Sequence, residues 1–113
     1  MKKKIFSRQE QIAFLASEIG DKLEILRAEN KISEDEVAVL NDIVNYAQSI
    51  VLYFKTTSED TIPQVFNLLI SANNYLKVEE RKERVVLLNI LKNKYQILSS
   101  SHSNVLETKS ITM

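Results

Sequence analysis

The chain has 113 residues, 15 basic and 15 acidic side chains, and no cysteine. Its length predicts one domain, and its balanced charge argues against a nucleic-acid binder working by bulk electrostatics, because such domains carry a basic surplus. The missing thiols exclude a disulfide framework, a cysteine catalyst and a Cys-based zinc site, and they fit a reducing cytoplasm.

One Gly and one Pro in the whole chain cannot supply the turns of a β or α/β fold. The expectation is all-α: an antiparallel four-helix bundle over residues 7–98, preceded by a basic lead (1–6) and followed by a disordered tail (99–113). The lead, Met1-Lys2-Lys3-Lys4, is most simply a solvated terminus. The apolar run behind it, Ile5-Phe6, falls short of the roughly 7–15 residues of a signal-peptide core, so export by that route is not expected.

Helix one is predicted from its N-cap, Ser7, to about Asn30. Ile12, Leu15, Ala16, Ile19, Leu23 and Leu26 fall at helical spacing, with Phe14 and Ile25 off that line. Leu15-Ala16-Ser17-Glu18-Ile19-Gly20 is similar to the first helix and turn of a helix-turn-helix, which raises a small DNA-binding regulator as one alternative. That motif wants an apolar residue after the glycine, and Asp21 stands there. The apolar steps also pass through Gly20 without a change of phase, which favours one helix with Gly20 at a close helix–helix approach.

Helix two opens on a capping box, Ser33-Glu34-Asp35-Glu36, with its acids at the positive end of the helix dipole. It is predicted to end near Lys55 or Thr56. Between Val37 and Phe54 it shows two apolar seams that together cover roughly 200° of the helix surface, against about 100° for an ordinary surface helix. Val37, Leu40, Val44, Ala47, Val51 and Phe54 form the first. Val39, Ile43, Tyr46, Ile50 and Tyr53 form the second. Such a helix needs cover on two sides. The second seam is completed either by neighbours within the monomer or by another chain. Its five residues are therefore the candidate partner-binding set, for a protein partner or a second copy. Five polar residues on the remaining arc argue against membrane insertion.

Thr61-Ile62-Pro63-Gln64 matches a second capping box, opening helix three, whose end is expected at Asn73-Asn74. Helix four is expected from Tyr75 or Lys77 to Leu98. Its opening charge run, KVEERKER, reads as a solvated face with Glu80 and Arg84 paired four apart. Its apolar half is Val85, Leu88, Leu91, Tyr95 and Leu98, flanked by Val86, Leu87, Ile90 and Ile97.

No catalytic, metal or cofactor site is expected. The sole histidine, His102, lies in the serine-rich tail, without the inward-facing carboxylates or second imidazole that a helical metal site needs. No glycine-rich phosphate loop is present. Leu40-Asn41-Asp42-Ile43-Val44-Asn45-Tyr46 resembles a helix segment of the enterocin-A-type bacteriocin immunity proteins, which are small cytoplasmic four-helix bundles with a loose C-terminal tail. The resemblance covers residues 40–46 and implies the same fold and a bacterial role in protecting a producer cell. The reading from the residues themselves is a non-enzymatic protein-interaction module.

Overall fold

The computed structural model describes residues 6–111, with side chains through residue 100. Of the basic lead only Phe6 is among them. Four α-helices pack together: α1 (Arg8–Ala28), α2 (Glu34–Leu52), α3 (Thr61–Tyr75) and α4 (Arg81–Ile111). There is no strand among the described residues.

The helix starts follow local chemistry. At α1 the Ser7 hydroxyl accepts from the Glu10 N–H, and Glu10 accepts from the Ser7 N–H, both at 3.1 Å. At α2 Ser33 and Glu36 form the same reciprocal pair. Each box satisfies donors that a helix N-terminus leaves open. The end of α1 is a Schellman motif. Asn30 adopts φ 56°, its N–H donates to the Arg27 carbonyl and the Lys31 N–H donates to the Leu26 carbonyl, which is the pairing this motif requires.

Helix α3 departs from expectation at both ends. The Thr61 capping box does not form; Asp60 is the N-cap residue and makes no side-chain cap bond. The preceding turn takes over: the Ser58 carbonyl accepts from the Thr61 and Ile62 N–H groups, and the Ser58 hydroxyl accepts from the Asp60 N–H. Pro63 still lies in the first turn, where its missing N–H costs nothing. At the other end α3 runs past Asn73-Asn74 through Tyr75. Tyr75 is 1% exposed, and its burial outweighs the turn preference of the asparagines. Residues 77–80 of the charge run are thus loop, and α4 begins at Arg81. Helix α2 ends at Leu52, before a 3-10 turn, Phe54–Thr56, short of the expected Lys55.

Leu98 is the last α4 side chain in the core cluster among the described residues, at the expected end of the packed bundle. The helical backbone continues to Ile111, beyond that expectation. Extending a nucleated helix fixes one residue per hydrogen bond, and serine's propensity penalty is small.

Consecutive helices are antiparallel. Gln9, at the start of α1, donates to the carbonyl of Val51, at the end of α2. Tyr75, closing α3, meets Glu36, opening α2. Alternate helices run parallel: Lys22 donates to Asn73 between α1 and α3, and the Tyr46 and Tyr95 rings meet between α2 and α4. Helix α1 packs on α2 and α3, while α4 packs on α3 and α2. Among the described residues, the α1–α4 side of a regular bundle square is therefore not closed by comparable packing. The helices form two triangles sharing the α2–α3 edge, with α1 and α4 at opposite ends.

This arrangement accounts for the two seams of α2. It lies in the middle and receives α1, α3 and α4, and one contiguous core holds residues of both seams.

Gly20 sits within an unbroken α1, so the turn required by a helix-turn-helix is absent. It marks no close approach either, since nothing among the described residues lies within 4 Å of where its Cβ would be. Glycine inside a helix costs about 1 kcal/mol against alanine. Gly20→Ala is expected to stabilise the fold by about that amount, read as a higher urea midpoint with unchanged slope. A lower midpoint would contradict the open surroundings of Gly20.

Candidate interaction surface

The structure divides the five candidate partner-binding residues. Ile43 and Ile50 are fully buried and Tyr46 nearly so. Val39 is half-buried against the core. The Tyr46 ring packs edge-on to Tyr95 of α4, 5.9 Å between centroids. Ile43, Tyr46 and Ile50 thus belong to the core of the chain and Val39 packs against it, the arrangement in which neighbours within the monomer cover the second seam. The cause is position: α2 is covered from both sides. Tyr53 alone reaches the surface, 61% exposed. It caps α2, and its carbonyl accepts from the hydroxyls of Thr56 and Thr57.

Among the described residues, α4 carries more exposed large apolar side chains than any other helix. As an end helix it buries one side among the described side chains, through Leu91 and Leu98, with Leu87, Leu88 and Tyr95 half-buried against the core. Val86, Ile90 and Ile97 are 58%, 43% and 71% exposed. Their spacing of four and seven residues places them, with the exposed Asn93, in one line along the helix. Beside the line runs an apolar groove of 290 Å³ between the start of α3 and α4, lined by Gln64, Asn67, Leu68, Lys94, Ile97 and Leu98. Sequence reasoning marked Val86, Ile90 and Ile97 as apolar flanks of helix four. The available signal was that α4, like α2, is apolar around more of its circumference than one neighbour can cover.

Charge is unevenly placed on the fold. From Arg81 to Ser100, α4 carries Arg81, Lys82, Arg84, Lys92 and Lys94 against a single acid, Glu83. Helix α3 has no charged residue, and α2 carries Glu34, Asp35, Glu36 and Asp42 with no base. Of the α4 charges, Arg81, Lys82, Lys92 and Lys94 are exposed beside Glu83, while Arg84 is paired with Glu36.

A second polar constellation sits where α2, α3 and α4 meet. The Glu36 carboxylate accepts from the Tyr75 hydroxyl and the Arg84 guanidinium on one oxygen, and from the Ser33 N–H and hydroxyl on the other. Burial alone would raise the Glu36 pKa; the hydrogen bonds from Tyr75, the Ser33 backbone and Arg84 outweigh it and hold the pKa below its ordinary value. Burial, reinforced by the bond to Glu36, pushes the Tyr75 hydroxyl up to about 12. The cluster ties three helix ends together. Arg84, expected on a solvated face beside Glu80, instead turns inward over the Tyr75 ring.

No group of acids or histidines among the described residues is placed to hold a metal ion. No helix among them is long and apolar enough to cross a membrane. Comparison with protein-family models, curated proteins and solved structures gave no match. Within the structure, Leu40–Tyr46 is a core-forming stretch of α2, with Leu40, Ile43, Val44 and Tyr46 buried.

Proposed function

We propose that the protein is a non-enzymatic binding module that engages another protein through the outer face of α4 and the adjoining α3–α4 groove. The observation that carries this reading is the line of Val86, Ile90 and Ile97, exposed on a helix whose opposite side already serves the core. Aligned exposed apolar side chains at helical spacing beside a groove suit a helix-in-groove contact. The candidate surface thus moves from the middle helix to an end helix.

A photo-crosslinking residue placed at Asn93 in cells is expected to give protein adducts. The same group at Asp42, on the exposed polar arc of α2, is expected to give none. Equal labelling at both positions, or none at Asn93, would remove the reading.

A further inference from the structure

The surface constrains what its partner looks like. Val86, Ile90, Asn93 and Ile97 are separated by four, three and four residues, the alternation of a coiled-coil seam. A seam of this kind takes a second helix and is narrow for a lipid surface, where Trp, Phe and Leu usually form the apolar face. Asn93 is the one polar residue in that stretch of seam. A lone polar seam residue fixes register by requiring a hydrogen-bonding partner opposite it.

Charge decides between partners. Lys94 lines the groove, and Lys82 lies on the opposite flank of the seam. Against a second copy packed antiparallel about Asn93, each Lys94 would approach its twin, and such like-charge pairing disfavours the complex. A helix carrying Asp or Glu on both sides of an apolar seam would meet Lys82 and Lys94 with opposite charge and set one large aliphatic side chain into the groove between Leu68 and Ile97.

Resting on the proposed binding role of this face, we infer that the α3–α4 groove docks an acidic amphipathic helix of another protein, with Lys94 and Lys82 flanking an apolar seam registered at Asn93.

The test uses the full chain and two synthetic helices. Both carry leucine at the seam; one has glutamate and the other lysine at the flanking positions. The acidic helix is expected to bind, to shift amide signals of α4 and the first half of α3, and to weaken with salt. Lys94→Glu is expected to weaken it by about tenfold or more, and Ile90→Asn to abolish it. Both variants should melt like wild type, because Ile90 and Lys94 are on the surface. Equal binding of the basic helix would overturn the inference, as would acidic binding insensitive to both variants. So would binding to phosphatidylserine vesicles, or a concentration-dependent doubling of mass, that Ile90→Asn removes. If crosslinks form at Asn93 while the acidic helix shows no preference, the partner's chemistry is wrong and the binding role stands; if neither occurs, both fall.

Discussion

Ile50→Asp is expected to leave the chain unfolded, while Tyr53→Asp folds within about 0.5 kcal/mol of wild type. The two residues lie three apart on the same seam of α2, yet one is 0% exposed and the other 61%. Truncating a buried isoleucine to alanine costs about 2–5 kcal/mol through lost burial and the cavity left behind. Aspartate adds the cost of desolvating a carboxylate, and no basic residue lies on α2 or α3 to meet it. The sum is on the order of the whole stability of a domain this size, about 5–15 kcal/mol. At Tyr53 the same substitution removes an exposed ring and leaves intact the carbonyl that accepts from Thr56 and Thr57. Far-ultraviolet circular dichroism and urea titration of the two variants check this directly. A folded Ile50→Asp with a near-normal midpoint would mean that the seam is not inside the monomer.

The contrast also shows where the sequence stops being informative. Helix two was legible because its signals are local: the Ser33 box and an apolar arc too wide for one neighbour. The stop at Asn30 was legible for the same reason, since asparagine takes the left-handed conformation at small cost. Which chain covers the second seam is a long-range matter. Apolar angle measures how much cover a helix needs and says nothing about whether it stands in the middle of the assembly or at its end. α2 and α4 are both apolar over a wide arc, and only their places in the packing separate them. The same limit hid the Glu36 cluster. Ser33 and Glu36 announce a cap from three residues apart, but Tyr75 and Arg84 reach that carboxylate from 39 and 48 residues away. Tyr75 was misplaced because two asparagines precede it, and Arg84 because Glu80 offered a nearer partner.

That cluster is expected to be the most costly polar site to disturb. Glu36→Ala removes the acceptor shared by Tyr75 and Arg84 and half of the α2 capping box. Breaking a well-buried ion pair from one side costs about 3–5 kcal/mol. Here the Arg84 and Glu36 side chains retain 22% and 17% exposure, so screening reduces that contribution, while the damaged cap adds about 1 kcal/mol. A loss of about 3 kcal/mol is expected. Tyr75→Phe, which removes one donor and keeps the buried ring, should cost about 1 kcal/mol. The pH dependence follows from the direction of the shift. The folded Glu36 pKa lies below its ordinary 4.5, so the unfolded chain takes up this proton first as pH falls. The stabilisation is complete above 4.5 and is lost as pH drops from there through the folded value. Urea midpoints of wild type and Glu36→Gln, followed from neutral to acid pH, should therefore converge below 4.5. Parallel curves would show that the carboxylate is not held by Tyr75 and Arg84. Convergence would identify Glu36 as the acid-labile tie among the ends of α2, α3 and α4. It would also place an electrostatic hold on the end of α4 that leads into the exposed seam, where Arg84 precedes Val86 by two residues. Weakening that tie is then expected to loosen the first turns of α4 before the Leu91–Leu98 contacts with the core, detectable as faster amide exchange at Val85 and Val86 in Glu36→Gln than in wild type.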